Sequence, residues 1–140
     1  MSKSFLRMLV LLASACMTNL VASDVVVIVN PNVGVASLSA DELKGIFLLT
    51  KTSFNDGSRA EVVLAKNGPA HQTFVGQYLG KTEAALQTYY RSLVFTGKAS
   101  MPKILGSDTE VIAYVAKTKG AVGYVPSDTS IAGAKVVAVK

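Results

Sequence analysis

Apolar positions in this chain come in two rhythms, and their alternation predicts the elements. Asp24-Val25-Val26-Val27-Ile28-Val29-Asn30 is an unbroken β-branched run rather than an alternation. Such a run predicts a strand covered on both faces, as in a sheet sandwiched between helices. Asn30-Pro31-Asn32 ends it, and a loop of small residues leads to Ser39 and Glu42, spaced as a capping box. Leu43, Ile46 and Phe47 then recur at helical spacing. Lys51 to Gly57 is polar and closes on the turn signal Asn55-Asp56-Gly57. Glu61-Val62-Val63-Leu64 predicts a second buried strand, and Pro69 opens a helix running to about Leu79. Ala70, Phe74 and Tyr78 form its inward stripe, and Gly80 stops it.

A third helix follows, capped by Thr82, with Leu86, Tyr89, Tyr90, Leu93 and Val94 on its apolar face. Residues 96–106 read as a loop holding Gly97, Pro102 and Gly106. Ser107 and Glu110 make a second capping box, with Val111, Ile112 and Val115 facing inward. Gly120 ends that helix. Residues 121–125 and 135–139 complete a set of four to five strands. Strands alternating with helices imply an α/β layered fold. The glycines at 120 and 123 read as a helix stop and a close strand packing, because the lysine and hydroxyl of a phosphate loop are absent.

The beginning of the chain has another character. Lys3 and Arg7 precede a mostly apolar stretch, residues 8–21, interrupted by Ser14, Thr18 and Asn19 and short for a membrane span. Val21-Ala22-Ser23 suits signal-peptidase cleavage, which makes residues 1–23 a signal peptide and 24–140 the domain. A second reading acylates Cys16 after Ala13-Ser14-Ala15 and anchors the protein as a lipoprotein. Both readings export the chain to the periplasm. Beyond Ser23 the chain keeps 12 of its 14 Lys and Arg and all nine Asp and Glu, a net charge of +3. That mild excess suits an anionic ligand or membrane surface. The cations are scattered, with no run that reads as a nucleic-acid patch. Cys16 is the only cysteine, so the domain has no disulfide and rests on its core.

The candidate chemistry gathers where the Pro69 helix begins. Gly68 falls at the N-cap with no side-chain oxygen to offer, so the N–H groups of Ala70 and His71 have no obvious local acceptor unless Asn67 folds over them. With Lys66 upstream and the positive helix end, this makes an anion site. The candidate ligand-binding residues are Lys66, Asn67, Gly68, His71, Gln72 and Thr73, with Asn30 and Asn32 at the end of the first strand in second rank. His71, the only histidine, is either a partly exposed surface residue or an oxyanion donor whose charge switches near neutral pH. A single histidine without cysteine leaves no metal cluster, and no Gly-x-Ser-x-Gly elbow is present. No cofactor and no enzymatic activity are expected.

Four pieces, in order, resemble one family: Leu38-Ser39-Ala40-Asp41-Glu42-Leu43-Lys44-Gly45-Ile46-Phe47 after the first strand, Phe54-Asn55-Asp56-Gly57, Tyr90 to Gly97 with Pro102 beyond, and Gly120-Ala121-Val122-Gly123-Tyr124-Val125. The chain is similar to the phosphate-binding proteins of ABC transporters (PstS-like), and to a single lobe of their two-lobed type II periplasmic binding fold. The resemblance implies a three-layer α/β lobe with a mixed sheet and an oxyanion ligand, most directly phosphate. In larger members an Arg followed by Ser-Gly-Thr holds the phosphate. Here Lys66 stands for the Arg and Asn67-Gly68-Pro69-Ala70 departs from the triplet. Lys neutralises a phosphate without the bidentate grip of Arg.

Two function classes follow. In one, the chain is a solute-binding module, with a small phosphate-like anion and the membrane components of an ABC transporter as partners. In the other, the lobe is an envelope accessory module whose freed face meets another envelope protein or a second copy as a homo-oligomer. The second predicts an exposed patch near the loops at Asn30-Pro31 and Lys66-Asn67.

Overall fold

A computed structural model describes residues 24–140, so the signal-peptide and lipidation readings lie outside the described residues. The strands are β1 (Val25–Val29), β2 (Ser37–Leu38), β3 (Glu61–Ala65), β4 (Lys103–Leu105), β5 (Ala121–Pro126) and β6 (Lys135–Val139). The helices are α1 (Ala40–Phe47), α2 (Pro69–Phe74) with a π-helical continuation (Val75–Leu79), α3 (Glu83–Phe95) and α4 (Asp108–Lys117). One mixed sheet has the order β2-β6-β1-β5-β3-β4. β3, β4 and β5 run parallel to one another, and β1 runs antiparallel to both its neighbours, β5 and β6.

The unbroken β-branched runs are covered on both faces, as their composition requires. Val27 and Val29 of β1, Val62 and Leu64 of β3, and Val122 and Tyr124 of β5 face α1, α2 and α3 in one core cluster. Ile28, Val63 and Val125 point the other way, into a smaller cluster with Val111, Ile112 and Val115 of α4. The result is three layers: α1 to α3, the sheet, and α4.

The helix starts follow their sequence signals. Ser39 and Glu42 form the capping box, the Glu42 N–H reaching Ser39 Oγ at 3.0 Å. Thr82 caps α3 and Ser107 caps α4. Glu110, expected to close the second box, instead reaches past Ser107 and accepts from the Gly106 N–H at 3.0 Å. Two tyrosines of α3 pin it to the end of α1: Tyr90 Oη donates to the Phe47 carbonyl at 2.6 Å and Tyr89 Oη to the Leu48 carbonyl at 2.5 Å. These bonds satisfy carbonyls that the end of a helix leaves without partners.

Gly120 is required twice over. Its φ is +75°, and a Cβ there would lie 1.9 Å from the Arg59 carbonyl oxygen. The close approach lets Glu61 N–H reach the Gly120 carbonyl at 2.9 Å and start the β3–β5 pairing. The sheet departs from the sequence reading in number. β2 and β4, at two and three residues, are too short to show an alternation and fell in stretches read as loop. The α3 stripe also shortens at its end, where Val94 is exposed rather than inward.

Candidate functional site

α2 begins as its sequence suggests. Gly68 is the N-cap at φ +108°, a conformation that favours glycine, Pro69 occupies the first turn, and no side chain caps the helix. A Cβ at Gly68 would meet nothing within 4 Å, so the start is open to solvent. Gln72 N–H is the first to close a helical bond, to the Gly68 carbonyl at 3.1 Å. The N–H groups of Ala70 and His71 precede that bond, at the positive end of the helix.

This start looks into a hollow of about 440 Å³ at the carboxyl ends of the parallel strands. Ala65, Gly106 and Pro126 bring the ends of β3, β4 and β5 to it. Asn67, Gly68 and Ala70 line it from α2, and Ser107 and Asp108 from α4. Two helix N-termini therefore share one hollow. Asp108 and Asp128 bring two carboxylates into the same lining. They oppose a fully ionised anion and can accept from one that keeps a proton.

The expected residues divide. Asn67 and Gly68 line the hollow. The Lys66 side chain is exposed beside it, while its N–H donates to the Leu105 carbonyl at 2.8 Å and extends the β3–β4 pairing. Gln72 is exposed and Thr73 half-buried, both one helical turn past the mouth, and neither belongs to the lining.

His71 corrects both expectations placed on it. It is not a surface residue, and its side chain is not an available oxyanion donor: it is 3% exposed, and both ring nitrogens are engaged, which leaves only its main-chain N–H at the helix start. Tyr124 Oη accepts from the Ala65 N–H at 3.1 Å, which leaves its own O–H to donate to His71 Nδ1. Nε2 then carries the ring proton and donates to Glu83 Oε2 at 2.5 Å. Burial pushes the Tyr124 phenol well above its ordinary range, so it stays a donor. Tyr124 also stacks on Phe74 with ring centroids 4.0 Å apart. The chain Ala65–Tyr124–His71–Glu83 ties β3, β5, α2 and the first turn of α3 together behind the hollow.

Asn30 is corrected as well. It is 6% exposed, and its amide is consumed: Nδ2 donates to the Val115 carbonyl at 2.9 Å and the Ala116 carbonyl at 3.1 Å. Its Oδ1 accepts from the Asn32 N–H at 2.9 Å. Asn30 thus caps the end of α4. Register places both asparagines at the wrong edge for α2. Val25 pairs with Pro126 and Val29 with Val122, so the end of β1 lies at the start of β5, opposite the hollow. Asp108 and Asp128 are the residues that sequence reasoning missed. The Gly106-Ser107 helix start carried a signal, since a helix beginning after a parallel strand opens on the same sheet edge as α2.

The family model described as "PBP superfamily domain" matches residues 15–139. No match was found among curated proteins. Among solved structures, an ABC-type phosphate transport receptor from Vibrio cholerae is similar, with a TM-score of 0.64 and 15% identity over 82% of this chain and 45% of the other. PstS from Borrelia burgdorferi is similar with a TM-score of 0.65 and 12% identity over 83% of this chain and 47% of the other. The chain spans less than half the length of these structures.

Proposed function

Since this chain belongs to the PBP superfamily, whose domain model covers residues 15–139, we propose that it is an exported solute-binding module for a small oxyanion, with phosphate as the ligand. The observation that carries this reading is the open hollow at the uncapped start of α2. The N–H groups of Ala70 and His71 hold the oxyanion, Gly68 lets the main chain approach it, and Asn67 adds an amide. Lys66 supplies charge from the rim, and Gln72 and Thr73 flank the mouth. The names of the neighbouring structures, a phosphate transport receptor and PstS, support phosphate and a link to ABC-type uptake.

Asp108 and Asp128 sharpen the ligand class. A phosphate that retains a proton donates it to one of them, whereas sulfate has none to give and is repelled. With no second lobe over the hollow among the described residues, the anion stays solvated on one side and its binding is weak and salt-sensitive. The role is binding rather than catalysis, because His71 is held behind the hollow by Tyr124 and Glu83.

Calorimetric titration tests this. Phosphate binds in the millimolar range, sulfate does not, and Lys66→Ala weakens phosphate binding by roughly fivefold, about 1 kcal/mol for a rim charge. No heat with millimolar phosphate at low salt, or equal binding of sulfate, overturns it.

A further inference from the structure

The opposite end of the β3–β4 pair carries a second hollow, of about 590 Å³, unrelated to the start of α2. Lys51, Arg59, Lys98 and Lys103 line it against one carboxylate, Glu61. No Lys or Arg forms an ion pair among the described residues, and Lys51 acts on Glu42 only through space. Lys51 bonds the neutral Asn55 side chain at 2.8 Å, and Lys103 lies 5.7 Å from the centre of the Tyr114 ring.

Beside this basic hollow lies a concentration of exposed apolar side chains. Among the described residues, four of the five large exposed hydrophobics fall within residues 94–104: Val94, Phe95, Met101 and Ile104. Phe95, at the end of α3, is 93% exposed. The main chain there folds back, with the Lys98 N–H reaching the Leu93 carbonyl at 2.9 Å, so Phe95 and Lys98 sit on one short loop. Residues 84–107 contain Arg91, Lys98 and Lys103 and no carboxylate. An aromatic standing in water among unpaired cations is the surface expected to be covered.

We propose that this face docks on an anionic phospholipid surface, with a headgroup phosphate in the basic hollow and Phe95 sunk at the acyl boundary. Charge complementarity selects the occupant. A second copy of the chain would bring like charges together across a symmetric contact. A peptide adding to the β4 edge meets a strand of three residues preceded by Pro102, which has no N–H to offer. A bilayer needs neither register nor a partner groove, only apolar insertion and cations near the headgroups. The contact is peripheral, since no described helix is long and apolar enough to cross a membrane.

Co-sedimentation with vesicles decides it. The protein binds vesicles containing phosphatidylglycerol and not pure phosphatidylcholine, and high salt releases it. Lys98→Gln and Lys103→Gln each weaken binding roughly fivefold, the equivalent of about 1 kcal/mol per cation at an anionic surface. Phe95→Ser weakens binding at low salt and leaves its salt dependence unchanged. All three side chains are exposed, and circular dichroism confirms that the variants fold. Lys66→Ala leaves vesicle binding unchanged, which separates this face from the phosphate hollow. Equal binding to both vesicle types, indifference to the three variants, or self-association through Phe95 would each overturn the proposal.

Discussion

His71 shows how far one residue's role depends on partners remote in sequence. Its place in the third position of a helix favours exposure, yet the fold turns it inward onto Tyr124, 53 positions away, and Glu83, 12 positions away. Nothing near His71 announces this. The one available signal was Tyr124 itself, a buried strand residue whose hydroxyl needs a partner. His71→Phe strands the Tyr124 O–H and should cost on the order of 2 kcal/mol in denaturant unfolding. Tyr124→Phe costs a similar amount by orphaning His71 Nδ1 and the Ala65 N–H. The double variant costs less than the two together, because the two changes remove the same bond. Strict additivity would disprove the chain of bonds.

The elements themselves were largely legible. A continuous β-branched run gave β1 and short apolar runs gave β3, β5 and β6, and Ser39, Thr82 and Ser107 gave three helix starts, because both signals act over a few neighbouring residues. β2 and β4 were hidden because their pairing is decided by the strand alongside, not by their own two or three residues. The candidate site was legible where it rests on local backbone, at Asn67 and Gly68, and not where it depends on strand direction. Antiparallel pairing of β1 sends Asn30 away from α2, and the same pairing gives it a structural task between β1 and α4. Asn30→Ala uncovers the Val115 and Ala116 carbonyls and frees the Asn32 N–H, so it should destabilise the fold by about 1–3 kcal/mol without changing phosphate binding. A loss of phosphate affinity in a folded Asn30→Ala protein would return Asn30 to the site.

For the whole molecule, acid is the informative stress. Asp56 accepts from the Ser58 side chain and main chain and from the Gly34 N–H at 2.7 Å, tying the loop after β1 to the turn after α1. The Ser58 hydroxyl, then these main-chain donors, hold the Asp56 carboxyl below the usual carboxylate range. Asn55 does the same for Glu42 at the start of α1. A carboxyl depressed in the folded state supports the fold while ionised, and that support fades as pH falls through its folded-state value. Asp56→Asn should therefore lower the melting temperature at neutral pH, with the gap to the parent protein closing as pH falls below about 4, through the lowered Asp56 value. A gap that stayed constant over that range would show that Asp56 contributes no ionised-state stability.

The central position of β1 sets the timing of assembly. Its two hydrogen-bonded neighbours are β5 and β6, made roughly a hundred residues after it by the ribosome. Until they emerge, Val27, Ile28 and Val29 have no strand beside them and no finished sheet to join. The nascent polypeptide is thereby kept from closing early, and it stays threadable until β5 and β6 have been made.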